Sequence, residues 1–193
     1  MTHQPTFPAA LQPIALAILP ALRVGELSPP LQDFTVFVGL EKLTAPRRVY
    51  YSPAKLRSVI AKSSGEARVL ALCLGTRHCD GFIREECLRQ LVDTGSPWAA
   101  PFVVQLVGEY VVEIVHVIVM ALQRGYVAGL AQFVLDNPSF MATTRRRVVS
   151  YWDCYYRGPF PSLLDYPAYI ALESIHQLAL AVPSGLLNVN TTV

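Results

Sequence analysis

Two Glu-x-x-His pairs, Glu113–His116 and Glu173–His176, are the residues of this chain best spaced for chemistry. An i,i+3 interval puts carboxylate and imidazole on one helix face, where both can hold the same ion. Two such motifs, with one carboxylate from each of two further helices, make a di-iron or other transition-metal site in a helical bundle. Glu86 can supply one of those carboxylates and Asp153, less conventionally, the other. A metal-dependent helical enzyme is the alternative that these six residues support. The plainer reading is preferred, in which they are polar groups half-buried on neighbouring helices. The helices are short for a di-metal bundle, and one ligand would be an Asp.

Cys73, His78, Cys79 and Cys87 carry the right atoms for zinc. Their spacing lacks the paired short loops of zinc modules, and adjacent His78 and Cys79 chelate one ion poorly. Small thiols packed under a turn are expected instead, with no bound cofactor. No Ser/His/Asp or Cys/His arrangement stands out, so no residue is assigned a catalytic role.

The run Arg145-Arg146-Arg147, followed by Tyr151, Trp152, Tyr155, Tyr156 and Arg157, is the best recognition segment. Cations beside aromatic planes suit phosphate contact and base stacking, which makes nucleic-acid binding or base excision a second alternative. At about 100° per residue, however, the triplet spreads around a helix and forms no single patch. Val148, Tyr151, Trp152 and Tyr155 recur at helical spacing and are expected to face the core. Arg145, Arg146 and Arg157 are the partner-binding candidates, with Asp153 and Arg157 placed for an i,i+4 pair.

The elements that must position these residues read as helices. Pro53 opens a helix to Lys62, and Glu66–Leu74 forms another, ended by Gly75. Asp80 caps Gly81–Val92, because its carboxylate can accept first-turn amide hydrogens. Ile83, Cys87, Leu88 and Leu91 define the buried face of that helix. Trp98–Val107 is its partner, Gly108 breaks the chain, and Glu109–Leu122 is apolar almost all round, as a central helix is. Further helices are expected over Tyr126–Leu135, from Ser139 to about Tyr156, and over Tyr166–Val182. Leu31–Leu43 is read as a helix, although Phe34-Thr35-Val36-Phe37-Val38 has strand-forming residues. Residues 1–30 hold six prolines and are expected to be an irregular lead-in with at most one short helix around Ile14–Leu19. Residues 31–187 form a single helical domain, and 188–193 a frayed tail.

The chain has 193 residues, of which 52% are hydrophobic and 16% charged, enough apolar surface for a sizeable core. A formal charge of +2 does not by itself point to nucleic acid or an anionic membrane. Mean hydropathy is +0.36, and Phe102–Leu122 is the only stretch resembling a membrane span. Gln105, Glu109, Glu113 and His116 lie near its middle, each carboxylate costing about 2.5–3.5 kcal/mol on insertion. Two buried helices explain the stretch better, so no span is expected. The four cysteines are read as reduced thiols of a cytoplasmic protein.

Ile83-Arg84, Cys87-Leu88 and Leu91 recur 31 residues later as Ile114-Val115, Ile118-Val119 and Leu122. Within this repeat, Asp80-Gly81-Phe82-Ile83-Arg84-Glu85, Leu88, Pro97-Trp98-Ala99-Ala100-Pro101 and Gly108-Glu109-Tyr110-Val111 resemble bacterial HEAT-like helical-repeat proteins. The resemblance covers about residues 79–122. It implies an all-α fold of stacked antiparallel helix pairs, a HEAT-like α-solenoid, with an irregular helical bundle as the alternative. It also implies an Arg that pairs with an Asp of a neighbouring repeat. Arg84 keeps that pattern, while the corresponding position one repeat later is Val115. Asp80 and Arg84 are therefore structural candidates. HEAT-like folds include DNA glycosylases with a basic groove, which gives the nucleic-acid alternative a mechanism. The function expected first is non-enzymatic: an adaptor or immunity-type interaction protein that binds another protein.

Overall fold

The computed structural model describes residues 5–23 and 33–182. The expected tail at 188–193 and parts of the lead-in lie outside the described residues. The chain is mostly helical, with one small two-stranded sheet.

In chain order the helices are α1 (Gln12–Arg23), α2 (Pro53–Lys62), α3 (Gly65–Gly75), α4 (Gly81–Val92), α5 (Ala100–Val107), α6 (Val112–Gln123), α7 (Leu130–Asp136), α8 (Pro138–Tyr151) and α9 (Pro167–Leu180). The strands are β1 (Asp33–Val38) and β2 (Glu41–Pro46). In the described part of the lead-in, α1 runs through Pro13 and Pro20 and is longer than the helix expected around Ile14–Leu19. Phe7, Leu11, Ala15 and Leu22 are buried in the common core, and α1 packs on α2 and α3.

The helix expected over Leu31–Leu43 is a correction: its described part is an antiparallel hairpin, with Val38 opposite Glu41 and Asp33 opposite Pro46. Phe34, Val36, Leu43 and Ala45 are buried while their neighbours face outward. That period of two suits a half-buried strand, and β-branched and aromatic side chains pack well on its pleat. Gly39, at φ 59°, supplies the left-handed backbone that a two-residue hairpin turn needs. Asn137 fastens the sheet to the helices: its amide accepts from Phe37 N at 2.7 Å and donates to Phe37 O at 2.8 Å.

The α4 expectation holds in detail. Asp80 caps it by accepting from Phe82 N at 2.8 Å, and Ile83, Cys87, Leu88 and Leu91 are all buried. The helix expected over Trp98–Val107 as the partner of α4 packs mainly elsewhere. α4 packs on α3 and α6, α5 packs on α6 and α7, and α9 packs on α6 and α7. The paired faces of α4 and α6 are the two copies of the 31-residue sequence repeat, with Ile114, Val115 and Ile118 buried on α6. Gly129 opens α7 at φ 69°, where an added Cβ would come within 2.1 Å of the Pro97 carbonyl oxygen. This close crossing explains why α7 starts later than Tyr126.

The end of α8 overturns a second expectation. Trp152–Tyr156 forms one π-helical turn, whose i→i+5 hydrogen bonding is wider than 3.6 residues per turn. The extra residue rotates the sequence off its α-helical face. Tyr155 is exposed, and Tyr156 packs inward instead, its ring stacked 5.1 Å from that of Tyr166. Among the described residues, no helix is long and apolar enough to cross a membrane.

Candidate functional site

The best-built polar cluster centres on Glu109, in the turn between α5 and α6. Its side chain is only 6% exposed, yet three guanidinium groups meet it. Arg48 binds it bidentately, Nη1 to Oε1 at 2.8 Å and Nη2 to Oε2 at 3.0 Å. Arg77 Nη2 donates to Oε1 at 2.9 Å from a fully buried position. Arg84 Nε lies 3.3 Å from Oε2, a charge contact off the hydrogen-bond axis.

Local chain geometry delivers each cation. The backbone after β2 runs beside the α3–α4 turn, with Val49 N donating to Arg77 O and Cys79 N donating to Val49 O. That bridge sets Arg48 and Arg77 side by side. His78 braces the same turn: Asp80 N donates to its Nδ1 at 3.0 Å, so its Nε2–H is the group that donates to Tyr51 O at 2.9 Å. Arg84 Nη1 donates to the carbonyls of His78 and Cys79, both at 2.9 Å. One carboxylate thus ties together the loop after the hairpin, the α3–α4 turn and the α5–α6 turn.

Electrostatics follow from this geometry. Burial alone would raise the Glu109 carboxyl, but Arg77, Arg48 and Arg84 outweigh it and hold the group below its ordinary range. Burial pushes Arg77 down to about 10 against the attraction of Glu109, leaving it cationic at neutral pH. Three arginines on one carboxylate leave the cluster itself with excess positive charge.

Aromatic side chains border it. Phe82, at the start of α4, is 82% exposed, Tyr110 before α6 is 56% exposed, and Tyr155 is 69% exposed. Tyr110 meets Tyr151 edge-on with ring centroids 6.1 Å apart, and Tyr151 meets Tyr155 at 6.3 Å. Tyr156 Oη donates to the Tyr110 carbonyl, which anchors the π turn against the α5–α6 turn.

The metal candidates take other partners. Glu86 binds Arg57, Asp153 binds Arg157 and Glu173 binds Arg145. Among the described residues, no three His, Cys, Asp or Glu side chains come together as a metal-holding group, so Glu113, His116, Glu173 and His176 do not converge with Glu86 and Asp153. Cys73 and Cys87 are buried, Cys79 and Cys154 exposed, and all four are free thiols. Burial raises the Cys87 thiol to about 12, which suppresses the reactive thiolate.

The recognition candidates divide. Arg145 bonds Glu173 at 2.5 Å and Tyr169 Oη at 3.0 Å, joining α8 to α9. Arg157 forms the expected i,i+4 pair with Asp153 and stacks 4.8 Å over the Trp152 ring. Arg146 is exposed and donates to Thr143 Oγ1. Sequence reasoning missed Arg77 and the convergence on Glu109. The signal available was Arg84 in the repeat pattern together with the acidic residue of Gly108-Glu109-Tyr110-Val111. Comparison with protein-family models, curated proteins and solved structures returns no match to this chain.

Proposed function

We propose that this chain is a non-enzymatic interaction protein of stacked HEAT-like helix pairs. It binds an acidic protein partner through the end where α4 and α6 begin. The observation that carries this reading is the exposure of Phe82, Tyr110 and Tyr155 beside a cluster with more arginine than carboxylate charge. Aromatic residues and arginine are the types enriched at protein interfaces, and large exposed rings gathered at one end serve recognition rather than packing. The Arg84–Glu109 contact supports the repeat reading, since it joins an Arg and a carboxylate of two neighbouring helix pairs, with Glu where the resemblance implies Asp. Glu109 itself is consumed by structure and is not offered to a substrate.

Co-purification from the cells that make the protein tests this. Wild type and a Leu16→Ser control, altered on exposed α1 surface, should retain the same partner. The Phe82→Ser/Tyr155→Ser double variant should lose it. Equal retention by all three, or a bound species removed by nuclease, would refute the reading.

A further inference from the structure

We infer that the cleft between β1 and α8 is a binding site for a phosphate group, independent of the protein-binding end. The cleft has a volume of about 270 Å³ and is lined by Thr35, Arg47, Ser139, Thr143, Thr144 and Arg147. Two half-buried guanidinium groups on separate elements therefore share a small space rimmed with hydroxyls, the donor set that suits a tetrahedral oxyanion.

Neither arginine has a carboxylate within ion-pair distance among the described residues. Arg47 donates through Nε to the Asp33 backbone carbonyl at 3.2 Å, and its two terminal nitrogens have no hydrogen-bond partner among the described residues. Arg147 takes no hydrogen-bond partner among the described residues. Its stem and the Thr144 methyl pack against Gly108, where even a Cβ would meet them at 3.6 and 3.3 Å. Thr144 is 1% exposed. Two half-buried cations with no carboxylate at ion-pair distance are costly unless an anion joins them.

Charge balance points the same way. Arg47 is lowered by burial and then by repulsion from Arg147 and Arg48, which a bound dianion would relieve. Asp33 also lines the cleft and offsets one of these charges. Among the described residues lining the cleft, Arg47 and Arg147 thus share it with the single carboxylate of Asp33. The volume admits a phosphate with a small organic group attached, so free phosphate and a phosphate monoester share the recognising chemistry.

Titration calorimetry at constant ionic strength, with chloride as the balancing anion, tests the site using inorganic phosphate and phenyl phosphate. Saturable one-to-one binding is expected. Arg147→Gln and Arg47→Gln should each weaken it at least tenfold, whereas Arg124→Gln, at the far end of α6, should not change it. Circular dichroism of each variant confirms that it is folded, and the two cleft variants lie on different elements, so one suffices if the other unfolds. Equal affinity for both probes identifies the free anion, and tighter phenyl phosphate binding identifies an ester; both uphold the site. No saturable heat with either probe, or equal weakening by Arg124→Gln, would overturn it.

Discussion

Arg77 Nη2 donates to Glu109 Oε1 at 2.9 Å across two turns of the chain, with the arginine fully buried. A buried ion pair returns little over two apolar residues, but removing one partner strands the other charge in a poorly hydrated place. Here, among the described residues, Glu109 is the only carboxylate within ion-pair distance of the three cations, so the cluster is asymmetric in what it tolerates.

Glu109→Gln should therefore be the most damaging single change in the cluster, costing about 3–5 kcal/mol. Arg48→Gln should cost about 1–2 kcal/mol, because Arg77 and Arg84 still neutralise the carboxylate. Urea unfolding of both variants checks the order. A milder effect for Glu109→Gln than for Arg48→Gln would show that the carboxylate is not the hub.

The same cluster sets an acid dependence. The Glu109 pKa is lower in the folded protein than in the unfolded chain, where a free Glu titrates near about 4.3. Its contribution is complete above that value and is lost as pH falls through the folded value. Urea midpoints measured from neutral pH down to acid should fall more steeply below about pH 4.3 for wild type than for Glu109→Gln. Parallel profiles would remove Glu109 from the acid transition.

Asp80 separates a cap from a charge. Its carboxylate accepts from Phe82 N, and Asn can do the same, so Asp80→Asn should be nearly silent in thermal unfolding. Asp80→Ala should cost about 0.5–2 kcal/mol. Equal losses in both variants would mean that the negative charge, not the hydrogen bond, is what α4 requires.

The contrast between Asp80 and Glu109 explains what could be read from sequence. A cap is a local event: Asp80 and Phe82 are two residues apart, and helical spacing then fixes which side chains are buried. The Glu109 cluster depends on residues 61 and 32 positions away, brought together by a strand-like bridge that no periodicity announces. The hairpin was ambiguous because Phe34 and Val36 suit a short strand and an apolar helix segment alike. The π turn at Trp152–Tyr156 was invisible because one inserted residue leaves the apolar spacing of the sequence intact while exchanging Tyr155 for Tyr156. The metal candidates matched in spacing along two helices, but Glu86 and Glu173 lie opposite Arg57 and Arg145, which sequence order does not reveal.

The most direct test of the proposed interaction end is site-specific photo-crosslinking in the protein's own cells. A photoreactive phenylalanine analogue replaces Phe82, Tyr155, Leu16 or Leu180 in turn, all four being exposed. The account predicts one crosslinked protein partner from positions 82 and 155 and none from 16 and 180. Crosslinking of that partner from 16 or 180 alone, or none from 82 and 155, would contradict it.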